Sequence, residues 1–345
     1  MLNNLIPSSS SYLITITVKK ILILLQIISF SQLGYAQVIK GTILDQSNNS
    51  KIAFATVFIN GTALGTYTDQ NGYFKLDITK FNSMPLTISA LGYFSVTLPS
   101  FSMDKPIVVH LKPKIFQLKE VVINSKLIDR ERTADLRIFR NEFLGTTDNA
   151  RSCQIINEKD ITFNTGNSDD TLKAYASKPI TIYNNALGYI IIYYLDKFEY
   201  YKKSKSFFYS GNCIINEDST SSKTQKQLIE RRRKYAYLGS RMHFFRSLCE
   251  DNLESTGFVI RNSLDKNLSF VNLVIVDDSL KKSLAYKEDL RIAYYSRVFT
   301  SFIHFVKGSV FFDKTGYFDA FGVIWDGQMG RQRIGDLLPY EYKIN

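Results

Sequence analysis

From Val38 onward, apolar and polar residues alternate in short runs. VIKGTILD sets Ile39, Gly41 and Ile43 against Val38, Lys40 and Thr42, and it ends at the turn-rich DQSNNSK. The run at residues 52–59 (IAFATVFI), the turn Asn60-Gly61-Thr62 and residues 65–68 follow. A second turn, Asp69-Gln70-Asn71-Gly72, leads into Tyr73-Phe74-Lys75-Leu76, and residues 86–90, 92–98 and 107–111 supply three more short strands. About seven short strands with regular punctuation predict a β-sandwich. Gly61, Gly65 and Gly72 stand where hairpins require positive φ, and Asp69 is placed to cap its turn through the carboxylate.

The pattern then changes. Residues 124–143 (NSKLIDRERTADLRIFRNEF) are polar with a weak apolar stripe at Leu127, Thr133-Ala134, Ile138 and Phe143, which predicts a helix, either a helical connector or the first helix of the second domain. Short strands return at residues 152–156, 161–163 and 180–184. Two long antiparallel neighbours rich in Tyr and Phe are expected at 188–196 and 197–211. Leu228, Tyr235, Leu238, Met242, Phe245 and Cys249 recur at helical spacing and mark one apolar face, with Gly239 placed to divide it into two helices. Beyond Gly257, strands are expected at 258–260, 270–276, 290–295, 302–312 and 322–326. The turn Asp313-Lys314-Thr315-Gly316 before Tyr317-Phe318 repeats the D-x-x-G-Y-F order of residues 69–74, which a shared hairpin turn explains. Residues 144–345 therefore read as an α+β domain with antiparallel sheet.

The first 36 residues are of another kind. Lys19 and Lys20 precede the apolar run ILILLQIISF, and Gly34-Tyr35-Ala36 supplies small residues, which is the order of a secretory signal peptide cut after Ala36. Ten apolar residues fall short of the roughly 20 that span hydrocarbon, so a permanent anchor is the weaker reading. The long stretch before Lys19 fits a start codon set too far upstream. No cysteine follows the cut, so a lipoprotein is not expected. Removing 36 of 345 residues leaves 309, enough for two domains. The leader carries two lysines and no acid, so the formal charge falls from +11 to +9.

The run VIKGTILDQSNNSKIAFATVFINGTALGTYTDQNGYFKLDI resembles the carboxypeptidase-D regulatory-like domain. It has the opening V-x-G-x-[VI]-x-D strand, an A-x-V-x-[IV]-x-G-T hairpin and a G-T-x-T-D-x-x-G-x-F turn and strand. IFQLKEVVI, residues 115–123, is similar to the L-x-E-V-V-[VI] sequence that follows this domain in Bacteroidota-type outer-membrane proteins. The resemblance covers residues 37–123 and implies a seven-stranded, transthyretin-like (prealbumin-like) sandwich in an exported envelope protein, periplasmic or associated with the outer membrane. Residues 137–345 also look like the uncharacterised portion joined to this sandwich in similar proteins. The stretches that match are FRNEFLGTT and NARSCQIIN on either side of Asp148, ALGYIIIYYL, YLGSRMHFFRSL and RIGDLLPYEY. That second resemblance implies no activity.

Candidate chemistry narrows the picture mainly by exclusion. His110, His243 and His304 are followed by LKP, FFR and FVK, so the H-x-x-E pair of a zinc carboxypeptidase is missing. DQSNNS and DQNG hold too few acids for a calcium loop. No G-x-S-x-G, G-x-G-x-x-G or Walker sequence occurs. Cys153, Cys213 and Cys249 form no disulfide framework. No catalytic, cofactor-binding or metal-ligating residue is nominated, and residues 124–345 are too few for a 22-stranded barrel.

The most conspicuous charge feature is Lys223, Lys226, Arg231, Arg232, Arg233 and Lys234, followed by Arg241 and Arg246. Its centre, Arg231, Arg232, Arg233 and Lys234, is the candidate surface for an anionic partner. The alternative is a solvated helix face paired with Glu230 or Glu250. An export signal disfavours nucleic acid and leaves an envelope protein, cell-wall glycan or anionic lipid headgroup as partner. The leading expectation is a non-catalytic envelope adaptor. One alternative is a glycan or peptide hydrolase whose carboxylates, among them Asp169-Asp170 and Glu217-Asp218, converge only in the fold. Another is a glycan-binding module built on exposed Tyr or Trp325.

Overall fold

The computed structural model describes residues 36–114, 125–164, 170–219, 223–276, 282–295 and 299–344. The leader expectation, residues 115–123 and Asp169 lie outside the described residues. The described residues are mainly strand, 40% against 21% helix.

Seven strands open the fold: β1 (Val38–Asp45), β2 (Thr56–Ile59), β3 (Gly65–Tyr67), β4 (Tyr73–Asp77), β5 (Leu86–Ser89), β6 (Val96–Leu98) and β7 (Ile107–Leu111). They form two sheets in the orders β4-β1-β7 and β3-β2-β5-β6. Strand β1 runs antiparallel to β4 and parallel to β7. Its alternation is that of a sheet with one buried face: Ile39 and Ile43 point inward and Lys40 outward. Strands β2 and β5 are buried at every position because both faces are covered. On the outer side, Phe58 stacks on Tyr194 with ring centroids 5.1 Å apart.

Gly61 (φ 73°) and Gly72 (φ 69°) occupy the left-handed region that their turns need. Gly65 does not have the positive φ expected of it. It allows close approach instead, since a Cβ there would lie 3.0 Å from Phe58 Cβ.

The helix expected over 124–143 is α1 (Ser125–Leu144), and of the two readings the first helix of the second domain holds, because its end belongs to that domain's core. Phe139 and Phe143, one turn apart, are fully buried, and their rings meet Phe198 and Tyr193 edge-on at 4.8 and 4.9 Å. They lie against the six-stranded sheet of β8 (Cys153–Ile155), β9 (Ile161–Asn164), β10 (Thr171–Ala176), β11 (Ile180–Asn184), β12 (Tyr189–Tyr201) and β13 (Ser206–Glu217). The order is β8-β11-β12-β10-β9, with β13 on the other side of β12. The strand break expected between residues 196 and 197 is a β-bulge inside β12. The hairpin turns instead at the polar residues 202–205, where Lys205 takes φ 56°.

Helices α2 (Asp148–Arg151) and α3 (Lys223–Tyr237) contribute Ala150 and Tyr237 to the core on this sheet, whereas α4 (Arg241–Cys249) buries Phe244, Phe245 and Leu248 in a second core. That second core lies between the sheets β15-β14-β18-β19-β21 and β16-β17-β20. Their strands are β14 (Phe258–Arg261), β15 (Asn267–Leu268), β16 (Val274–Val276), β17 (Lys282–Leu284), β18 (Leu290–Tyr294), β19 (Phe299–Phe305), β20 (Val310–Phe312) and β21 (Val323–Asp326). The strand expected over 302–312 is divided by Gly308 and its neighbours. The one expected over 270–276 begins with a helical turn, because Ser269 and Asn272 form a reciprocal capping box.

The sandwich is docked on the rest of the chain. Gly61 N–H donates to Cys213 O at 2.8 Å, and Ile215 N–H donates to Thr62 O at 2.9 Å, so the 60–62 turn pairs with the free edge of β13. The C-terminal segment threads between the cores. Ile334, Leu338 and Tyr342 join the α1 core, Tyr340 packs against the sandwich core, and Tyr340 N–H donates to Gly61 O.

The two D-x-x-G-Y-F stretches form the same turn. Asp69 Oδ1 accepts from Asn71 and Tyr73 N–H, and Asp313 Oδ1 accepts from Thr315 N–H and Oγ1. Asp69 faces solvent, whereas Asp313 is buried and takes a 2.6 Å hydrogen bond from Ser83 of the sandwich. Among the described residues no helix is long and apolar enough to cross a membrane.

Candidate functional site

Helix α3 turns a different face inward from the one its apolar spacing predicted. Ile229, Arg233 and Tyr237, four residues apart, are buried, while Leu228 and Tyr235 are 38% and 71% exposed. The prediction carried one helical period across Gly239. That glycine takes φ 74°, with Ser240 capping α4 by accepting from His243 N–H, so α4 starts on a new axis.

Arg233 is therefore no surface residue. It is 6% exposed, its guanidinium lies over the Tyr189 ring at 4.1 Å, and every side-chain nitrogen is used. Nε donates to Leu187 O, Nη2 to Gly188 O, and Nη1 to both Glu217 and Glu230. Buried next to the turn before β12, it takes up Glu230, one of the two acids expected to serve this face, together with Glu217. Arg231, Arg232 and Lys234 remain exposed and have no ion-pair partner among the described residues. With Leu228 and Tyr235, the two arginines form an outward stripe at positions 228, 231, 232 and 235, which is the spacing of one helix face.

The two basic residues of α4 also turn inward. Arg246 spends Nε on Thr315 O, Nη1 on Tyr342 O and Nη2 on Tyr340 O, tying the Asp313 turn to the C-terminal segment. Arg241 donates from Nη2 to Gln332 O at 3.1 Å, and its backbone N–H reaches Gln332 Oε1. Burial pushes its guanidinium below the usual value, with the Tyr209 and Tyr340 hydroxyls opposing.

Arg241 opens onto a cleft of about 440 Å³ where the sandwich, β13, α4 and the C-terminal segment meet. Asn60 and Pro85 enter it from the sandwich, Phe208 to Cys213 from β13, and Ser240 to Met242 from α4. Asp336 lines it from the C-terminal segment. Its Oδ1 accepts from Thr147 Oγ1 at 2.8 Å and Asn149 Nδ2 at 3.0 Å, while Oδ2 is buried without a hydrogen bond. Burial pushes this carboxyl up, against the hydrogen bonds from Thr147 and Asn149 and the charge of Arg241. Asp196, in the same cleft, is pushed up by burial and held back by Lys114. The charge opposed to each acid is thus a cation, and neither acid is among the groups shifting the other.

The remaining candidates are structural. Trp325 is half-buried against Phe244, Phe245 and Phe318 in the second core. Burial pushes the Cys153 and Cys213 thiols up to about 12, far from a nucleophilic thiolate. His243 is buried, and its Nδ1 accepts from Gly239 N–H at 3.1 Å. His304 meets Asp289 on the surface. No group of three or more His, Cys, Asp or Glu is arranged to hold a metal ion among the described residues.

Sequence reasoning found the basic stretch of α3 but missed the cleft. Three of the stretches singled out by resemblance, those carrying Thr147 and Asn149, Ser240 and Arg241, and Asp336, come together only in space. Residues 39–123 match the family model of the CarboxypepD_reg-like domain, so the N-terminal sandwich is a domain of this kind. No curated protein matches the chain.

Proposed function

We propose that the chain is an exported, non-catalytic binding protein of the cell envelope, in which the sandwich braces the second unit and the outer face of α3 docks on anionic lipid headgroups. The observation that carries this reading is the division of labour within one basic run. Glu217 and Glu230 are committed to Arg233, which leaves Arg231, Arg232 and Lys234 exposed without acids of their own, with Leu228 and Tyr235 among them. Cations interleaved with one aliphatic and one aromatic side chain suit an interface of headgroups over hydrocarbon. The cations opposing both cleft acids, and the buried thiols, support a binding role over a hydrolytic one.

At about 1 kcal/mol per cation near an anionic surface, three cations contribute about 3 kcal/mol, or roughly 100-fold in affinity. Co-sedimentation with phosphatidylglycerol vesicles should therefore exceed that with phosphatidylcholine vesicles and fall steeply with salt. R231E/R232E/K234E should abolish the difference. Equal binding to the two vesicle types would sink the lipid reading. Retention on an acidic polysaccharide by the native chain, lost in the triple variant, would move the partner to glycan. Export has its own measurement: the protein recovered from the envelope should begin at Gln37.

A further inference from the structure

The three arginines that turn inward are not equivalent. Arg233 and Arg246 each spend Nε, Nη1 and Nη2 on protein acceptors. Arg241 spends only Nη2, on Gln332 O, and its Nε and Nη1 have no hydrogen-bond partner among the described residues. Arg241 is half-buried on the cleft wall, so the unspent donors are open to a ligand entering the cleft, and an anion there would gain charge-assisted hydrogen bonds. The nearby acid does not take these donors up. Asp336 is held through Oδ1 by Thr147 and Asn149 and makes no ion pair with Arg241.

Two further features favour an external anion at this point. Ser240, the N-cap of α4, and Arg241 and Met242 in the first turn of this nine-residue helix all line the cleft. The Arg241 and His243 N–H groups are spent on Gln332 Oε1 and Ser240 Oγ, so what this helix end adds to the guanidinium field is the positive end of its dipole. The rest of the wall is largely apolar, with Phe208, Met242, Ile334, Leu338 and Phe321. At about 440 Å³ the space falls within the range of small-molecule sites.

We propose that this cleft binds a small amphipathic anion, an apolar body with a single carboxylate or phosphate head, and that Arg241 holds the head by its Nε and Nη1 edge. The planar fork of a guanidinium matches both head groups, and the aromatic and aliphatic wall accommodates the body. The site is independent of the outer face of α3.

Titration calorimetry of the purified chain with four probes tests the proposal. Decanoate and decyl phosphate should bind, decanol should bind at least tenfold more weakly, and acetate should give no saturable heat. Arg241→Met should weaken decanoate by roughly tenfold to hundredfold, the range expected for lost charge-assisted hydrogen bonds. Ser210→Phe, which keeps every arginine and fills the cleft from β13, should abolish binding. R231E/R232E/K234E should leave it unchanged. Decanol binding as tightly as decanoate, no heat from decanoate or decyl phosphate, or unchanged decanoate affinity in Arg241→Met would overturn the site. If circular dichroism shows Arg241→Met unfolded, Ser210→Phe decides alone, and retained affinity there overturns the proposal.

Discussion

Arg231, Arg232 and Arg233 are chemically identical neighbours, and the helix sends them to different fates. The 100° step between residues turns Arg233 toward the sheet, where Leu187 O and Gly188 O await it, and leaves the other two in water. Removing Arg233 strands two carbonyls and vacates the stack on Tyr189. Arg233→Met should lower the unfolding free energy by about 2–4 kcal/mol, a figure tempered by the solvent exposure of Glu217 and Glu230. Arg231→Met should stay within about 0.5 kcal/mol. Urea denaturation of the two variants makes the comparison.

His243 has a pH signature. Burial, reinforced by Arg246, pushes its pKa down to about 4, whereas the unfolded chain titrates near 6.5. Between these values the unfolded state binds the extra proton. Stability should therefore be unaffected above pH 6.5 and fall as pH drops from 6.5 to 4, by at most about 3 kcal/mol. Asp196 and Asp336, whose carboxyls are raised, act in the opposite sense. The difference in urea midpoint between the native chain and His243→Gln at pH 7 and pH 4.5 isolates the imidazole, and a difference that does not change with pH would contradict the assignment.

At the scale of elements, legibility followed the number of covered faces. Strand β1 has one dry face, and its alternation is readable from VIKGTILD alone. In β2 and β5 both faces are dry, so the run of apolar residues marks a strand without saying what covers it. Helix α3 was legible as a helix, but its inward stripe contains an arginine, and no apolar count would select that stripe. The bulge in β12 hid the true hairpin turn, because Asp196 and Lys197 look like turn residues and form an irregularity within a continuous ladder. The Asp69 and Asp313 turns were legible as one device. That one of them is buried under Ser83 depends on docking, which local sequence does not encode.

At the scale of the whole molecule, the sandwich is part of the structure it precedes. The 60–62 turn is paired with β13, Phe58 is stacked on Tyr194, and Ser83 is bonded to Asp313. Near-UV circular dichroism and far-UV circular dichroism should report one shared urea transition, since contacts of this kind couple domains. Gly61→Val, which forces a side chain onto the Tyr340 ring at a φ of 73°, should lower that transition and separate the probes. Two resolved transitions in the native chain would show that the docking is weak. The cleft was illegible for the same reason: Arg241, Phe208 and Asp336 belong to separate elements, and only the closing of the C-terminal segment against Gly61 makes them neighbours.

The pairing of Gly61 and Thr62 with Cys213 and Ile215 also acts as a guard. Strand β13 is twelve residues long, rich in aromatic and aliphatic side chains, and bonded to β12 on one side only. Such an edge invites another chain to continue the sheet. The sandwich turn occupies its Ile214 end, and the lysines at 202, 203 and 205 charge the hairpin end. A fragment lacking the sandwich would lose half of that protection and present an open template for self-association.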